Sequence, residues 1–465
     1  MKSPCMSIRY GLEALLFLAC GLFIADGFSQ GRQRTLQQID QDYQDYRKGA
    51  DARIQDYIKQ NPSALVTFKK NHVVYLMTDV SESGMPIYIK TNNADEAVTL
   101  NVPQLRTGGS LGINILGTGM KIGTWDGGRV RNDHVELVGR VTFGDAASTF
   151  EDHATHTSGT MIASGVNPSA KGMAPAATLL AYDFINDVSE MTTQAKPDQT
   201  SLILSNHSYG TVCGWQYDGT AWTWHGDAAI SATEDYKFGY YDTQAQQWDG
   251  IAFSAPYYLI VKAAGNDRSD TGDGSKPRDG GTFGFDCIPT YGTAKNSLTV
   301  GAVQNLTSYQ LPSDVLMTNF SSWGPTDDGR IKPDIVAPGL QVFSTTAGST
   351  TEYQKFDGTS MATPAVTGTL ALLQQLYKSL NSGNYMKSAT LKALAIHSAR
   401  EAGLNPGPDY SYGWGLLDAE GAAKIIINKD NQNIFMREAA LVSGQTSEMD
   451  LGIPKVNTKI KITLV

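Results

Sequence analysis

What this 465-residue chain has little of narrows its class first. Lys and Arg number 37 against 46 Asp and Glu, a net charge of −9. A chain this poor in positive charge lacks the basic face that phosphate binding requires, which argues against a nucleic-acid partner. Long apolar runs are confined to the N-terminus, so nothing after it reads as a membrane span. There are no internal repeats and no low-complexity tract. Cysteine is scarce: of four, Cys5 and Cys20 lie in the first 29 residues, leaving Cys213 and Cys287. A disulfide between those two would fit an oxidising compartment, and two separate thiols are as compatible, because spacing does not show proximity. What is plentiful is apolar material (41%) and glycine (47 residues), a globular composition with a large core and many tight turns. The length predicts more than one folding unit.

Residues 1–29 read as an export signal. Lys2 and Arg9 precede the apolar run Leu15–Ala25, which is short for a bilayer span, and Gly27-Phe28-Ser29 offers small residues for cleavage. A lipoprotein signal at Cys20 and a retained anchor are the alternatives. Residues 33–60 carry a helical stripe of Leu36, Ile39, Tyr43, Tyr46, Ile54 and Tyr57, closed by Asn61-Pro62. Short strands are predicted at Leu65–Phe68, Val73–Met77 and Ile87–Ile89. This unit, residues 30–104, has the form of a pro-segment or of an N-terminal subdomain that stays attached. From Gly108 apolar strands alternate with helical stretches: Met120–Thr124, Thr178–Tyr182, Ser201–Ser205, Tyr258–Ala263, Ser297–Val303 and Ile331–Ala337. That alternation predicts an α/β fold, a parallel sheet with helices on both faces and functional loops at the carboxyl ends of the strands. The helix-like Ala422–Ile427 closes this domain, 105–428. Residues 429–465 turn β-like again, and the alternation from Lys459 to Val465 predicts a strand at the start of a C-terminal β domain that the chain does not complete.

Four local motifs carry chemistry. Asp357-Gly358-Thr359-Ser360-Met361-Ala362-Thr363-Pro364 sets a serine at the opening of an apolar helix, where free backbone N–H groups and the positive end of the dipole favour developing negative charge. Asp152-His153-Ala154-Thr155-His156-Thr157 offers a base for a hydroxyl that is a weak nucleophile on its own. His153 and His156 share a helix face, but no Glu between them completes a zinc-protease motif, and His156 reads as a packed or capping residue. Lys121-Ile122-Gly123-Thr124-Trp125-Asp126-Gly127-Gly128 ends an apolar strand in an acid fit to orient that histidine. Val261-Lys262-Ala263-Ala264-Gly265-Asn266 ends another strand in an amide able to donate to an oxyanion. Taken alone, an Asp or Asn before or after glycine is more often a turn residue.

Together these motifs resemble the subtilases, in the order Asp, His, Ser, over residues 105–428. The strings Phe320-Ser321-Ser322-Trp323-Gly324-Pro325 and Lys332-Pro333-Asp334-Ile335-Val336-Ala337-Pro338-Gly339 extend the likeness. Gly292–Asn296 and the C-terminal β tail are similar to alkaline subtilases with an appended jelly-roll domain. The resemblance implies a subtilisin-like sheet and a secreted or cell-surface serine endopeptidase with Asp126, His153 and Ser360 as its triad and Asn266 as an oxyanion donor. It implies that Ser208, Tyr209 and Gly210, with Ala263, Ala264 and Gly265, bind the substrate backbone, and that residues 30–104 are an inhibitory pro-segment. Partners would then be protein or peptide substrates and the chain's own pro-segment, with no nucleic acid, and no membrane once the signal is removed. No cofactor is needed for that chemistry. A structural calcium ion is a further expectation, and Asp267, Asp270, Asp273 and Asp279 lie in a Gly-rich loop, yet a solvated acidic loop reads at least as well, so no residue is assigned to a metal. Two departures stand out: Ala154 where the family has Gly, and Asp126-Gly127-Gly128 where it has Ser or Thr after the acid. The aromatic-rich stretch 211–256 either shapes substrate choice or covers a sheet edge. A pseudoprotease and a metallohydrolase on His153 and His156 are the rival readings.

Overall fold

A computed structural model describes residues 6–7, 35–70, 73–81, 83–91, 97–306, 308–429, 436–439, 441–448, 450–451 and 460–465. The expected export signal therefore lies outside the described residues, apart from Met6 and Ser7, and so do Cys5 and Cys20. Among the described residues no helix is long and apolar enough to cross a membrane.

Helix α1 (Leu36–Gln60) begins at Thr35, whose hydroxyl accepts from Gln38 N while Gln38 returns a hydrogen bond to Thr35 N. This capping box satisfies two donors that a helix start otherwise leaves open. One face buries Ile39, Tyr43, Ala50 and Ile54. Strands β1 (Thr67–Lys70), β2 (Val73–Val80) and β3 (Pro86–Thr91) follow as an antiparallel meander. The main unit then runs β4 (Lys121–Asp126), β5 (Val141–Phe143), α2 (Asp152–Ile162), β6 (Thr178–Asp183), α3 (Asp187–Gln194), β7 (Leu204–His207) and β8 (Tyr209–Thr211). The hairpin β9 (Trp215–Tyr217) and β10 (Trp222–Trp224) leads to α4 (Thr243–Ser254), β11 (Leu259–Ala263), β12 (Leu298–Val303), β13 (Ile335–Pro338), β14 (Val342–Thr345) and β15 (Tyr353–Phe356). Helices α5 (Thr359–Leu380), α6 (Ser388–Ser398) and α7 (Ala419–Ile427) complete it.

Seven strands form one sheet in the order β13-β12-β11-β7-β4-β6-β5, every pair parallel. The six strands expected from sequence are present; β5 is an addition at the edge, three residues too short to show a period. The chain order reverses between β4 and β7, so the crevice at the carboxyl ends of those strands is where such a sheet opens a site. One face is covered by α2, α5 and α7 over an aliphatic core containing Ile122, Leu204, Val261, Leu370 and Leu373. The other is covered by α3 and α4 over an aromatic cluster of Trp125, Tyr182, Tyr209, Trp248 and Tyr258, which also receives Ile39 and Tyr43 of α1.

The N-terminal meander does not stop at β3. Its sheet continues β1-β2-β3-β8, with Ile89 opposite Thr211, Lys90 opposite Gly210 and Thr91 opposite Tyr209. Leu100, Val102 and Leu105, beyond that strand, are buried in the main core. In the 211–256 stretch, Trp248 packs into the aromatic cluster and Trp215 is buried, its indole donating to Pro277 O at 2.8 Å.

The C-terminal stretch expected to open a β domain lies partly outside the described residues. Beyond Asn428 the strand found among the described residues is the two-residue Asp450–Leu451, and residues 460–465 have no regular structure. Alternation alone does not make a strand; a ladder partner is required. Thr463 Oγ1 instead meets His397 Nδ1 at 2.9 Å, and the Lys461 ammonium donates to His397 O.

Candidate active site

Asp126 is the last residue of β4, and its carboxylate is fixed from two sides. Oδ1 accepts from Gly127 N at 2.7 Å, and Oδ2 accepts from Thr157 Oγ1 at 2.9 Å. The same Oδ1 lies 2.5 Å from His153 Nδ1, and both side chains are buried. His153 occupies the first turn of α2. With Nδ1 held by the carboxylate, Nε2 is the ring nitrogen that a general base would use.

Ser360 is the second residue of α5. The helix is entered through Gly358, at φ 148°, in the positive region that a side chain rarely adopts. Pro364 stands four residues on and has no N–H for the Ser360 carbonyl. That carbonyl accepts instead from Ser208 Oγ at 2.8 Å, and Ser360 Oγ donates to Ser208 O, also at 2.8 Å. A helix proline thus ties the start of α5 to the end of β7.

Asn266 follows β11. Its Oδ1 accepts from Thr359 N at 2.9 Å and lies 3.0 Å from Thr359 Oγ1, which turns the amide so that Nδ2 is its remaining donor. Gly265, at φ 112°, has no room for a side chain: a Cβ there would come within 2.8 Å of Pro289 and Ser322. Ser208, Tyr209 and Gly210 and the neighbouring Ala263–Gly265 lie at the carboxyl ends of β7 and β11, adjacent parallel strands. The expected residues therefore gather at one end of the sheet, around the switch point.

Other expected features resolve differently. His156 does not join His153 as a metal pair: its Nε2 lies 3.2 Å from both Val342 O and Gln354 O, its ring stacks on Phe356, and burial holds its pKa down to about 3. No disulfide joins Cys213 and Cys287. Both thiols are buried, and burial pushes Cys287 up to about 12. Of the four loop aspartates, Asp279 accepts from Trp215 N and Asp273 from Ser275 N, and among the described residues no three His, Cys, Asp or Glu are grouped to hold a metal.

Three contributors were not singled out from sequence. Thr157 has a signal, since it stands one turn after His153 on the same helix face. Thr359 lies inside a recognised motif. Lys262 also lies inside one, but its surroundings depend on strands about 55 residues apart in the chain.

A doubly wound parallel sheet carrying Asp, His, Ser and Asn at its carboxyl edge defines the class. The subtilase family model matches residues 78–415, and the chain belongs to that family. Among relatives, it is 26% identical over 299 residues to the serine protease AprX of Bacillus subtilis (strain 168), covering 57% of this chain and 59% of that protein. A 76-residue stretch is 47% identical to the C5a peptidase of Streptococcus pyogenes, covering 16% of this chain and 6% of that protein. The chain thus spans less than two thirds of either relative. Among solved structures, the patellamide maturation protease PatA aligns with a TM-score of 0.47 at 20% identity, over 67% of this chain and 98% of that one.

Proposed function

We propose that this chain is a serine endopeptidase that hydrolyses peptide bonds of proteins through an acyl-enzyme on Ser360. The observation that carries the reading is the buried 2.5 Å contact between Asp126 and His153, made at the end of the sheet where Ser360 opens α5. Asp126 holds the imidazole in one tautomer and stabilises its cation. His153 Nε2 takes the Ser360 proton as Oγ attacks the peptide carbonyl, then delivers it to the leaving amine; water releases the acyl group by the reverse of the same steps. Asn266 Nδ2 and the Ser360 N–H hold the oxyanion, and each such donor is worth about 3 kcal/mol. Thr157 and Thr359 are positioning residues for Asp126 and Asn266.

Residues 30–104 serve in this reading as the inhibitory pro-segment. Support comes from β3, which occupies the β8 edge where an extended substrate would add a strand. The burial of Leu100, Val102 and Leu105 in the main core favours a division between Thr91 and Ala97 over one at 104. The N-terminal 29 residues direct export, so the mature enzyme acts outside the cell or at its surface.

The test is labelling of the processed protein with a fluorophosphonate probe, followed by mass spectrometry of the labelled peptide. Label on Ser360 that disappears in His153→Ala establishes a working nucleophile and base. Ser360→Ala should remove nearly all peptidase activity while keeping the thermal transition. Folded, processed protein that takes no label and cleaves nothing would make the chain a binding protein on a peptidase fold.

A further inference from the structure

Lys262 is a buried cation at a place that the chemistry above leaves unexplained. It lies in β11 and is 3% exposed. Alternation along the strand turns it to the aromatic face, opposite Ala263. Its ammonium does not stay in that cluster. It reaches the carboxyl edge of the sheet, where Nζ donates to Ala263 O at 2.7 Å, the one hydrogen bond it makes among the described residues. On the other side it faces Gly210: a Cβ built there would lie 3.5 Å from Nζ. The Tyr209 ring centroid is 6.0 Å away. Lys262 Nζ therefore stands between Gly210 and Ala263, just beyond His207 and Lys262, the last pair that joins β7 to β11.

An ammonium has three protons, and here one is used. Burying it this way is costly. Burial pulls Lys262 down to about 7, with Asp267 favouring the charged form. A buried lysine kept at such a cost is offset when an anionic or acceptor group arrives beside it in the same dry surroundings. Asn266 directly follows Gly265, and Ser208 is hydrogen-bonded to Ser360, so a substrate side chain directed between the two segments lies beside the reacting groups. The side chain that enters is therefore that of the residue whose carbonyl is attacked.

We infer that Lys262 sets the specificity of the site, selecting substrates with a carboxylate side chain, Glu or Asp, at the residue whose carbonyl Ser360 attacks. The inference rests on the peptidase reading above. It names the substrate class of that site, which neither the triad nor Asn266 determines.

The experiment compares kcat/KM on a set of otherwise identical peptides with Glu, Asp, Gln or Leu before the scissile bond, using processed wild-type protein, Lys262→Met and Lys262→Gln. Wild type should favour Glu or Asp over Leu by about tenfold or more, the range that one buried charged contact supplies. In both variants that ratio should collapse toward or below one, with thermal melts showing that each is folded. The wild-type ratio stands alone if a variant does not fold. A wild-type enzyme that takes the probe on Ser360 but prefers Leu, or variants that keep the preference for acids, would overturn the role of Lys262 and leave the peptidase reading standing. A wild-type protein that neither takes the probe nor cleaves any peptide would remove both.

Discussion

The two faces of the seven-stranded sheet are built from different materials. The face under α2, α5 and α7 is aliphatic and closely packed. Gly368 lets α5 approach α2 and the segment after it so nearly that a Cβ there would lie 2.6 Å from the Met173 Cβ and 3.2 Å from Met161 O. The face under α3 and α4 is aromatic and threaded with ionisable groups. Trp125 stacks between Tyr182 and His207 at 4.7 and 5.1 Å. A hydrogen-bonded chain runs from Asp187 through Tyr209, His207 and Ser205 to Tyr258. The first face fixes where the helices that carry His153 and Ser360 begin. The second is where α1 docks and where Lys262 lies. Rigid aliphatic packing suits placing a nucleophile, and a polar aromatic surface suits recognising what binds.

The largest effect should come at the edge the faces share. Asp126→Asn keeps the size of the side chain but loses the charge that holds His153, so kcat should fall by about 10⁴-fold with little change in melting temperature. A fall of less than about tenfold would detach Asp126 from the chemistry. Next comes the aliphatic face. Gly368→Leu must push α5 from α2, and we expect a loss of about 2 kcal/mol in denaturant titration together with reduced kcat. Reduced stability with wild-type kcat would mean that the helix packing does not set the position of Ser360.

Much of this was legible in sequence because its signals are local. Alternating apolar strands and helices gave six of the seven strands, and the four motifs lie at strand ends and helix starts, as turn and helix-cap chemistry requires. The rest depends on partners distant in the chain. Nothing in Pro86–Thr91 announces that it pairs with Tyr209–Thr211, more than 100 residues away. The backbone register that joins them leaves no periodic trace. Lys262 reads locally as a polar interruption of a strand, and only the folded chain sets it between Gly210 and Ala263. The terminal alternation from Lys459 is the converse case, a clear local pattern whose described residues, 460–465, take no regular structure.

The smallest effect tests the aromatic face through protons. Glu190 on α3 accepts from Trp125 Nε1 at 2.9 Å. Burial raises its pKa from 4.5 to about 8, the Trp125 hydrogen bond opposes, and Asp145, Asp183 and Asp187 add to the rise. Asp183 and Asp187 are themselves raised by burial from 3.8 to about 6. Between those values the folded protein holds protons that the unfolded chain has released, so raising the pH favours unfolding. The loss begins near pH 4 with the aspartates, is complete for them just above pH 6, and continues for Glu190 to pH 8. Glu190→Gln keeps an acceptor for the indole and removes the titration. The variant should therefore match wild type near pH 4 and melt higher at pH 8.5, by about 3 °C. Aliphatic-face variants such as Gly368→Leu should shift the melting temperature equally at both pH values. Parallel pH profiles for wild type and Glu190→Gln would mean that this face carries its carboxylates without paying for their charge, and the contrast between the faces would then be one of shape alone.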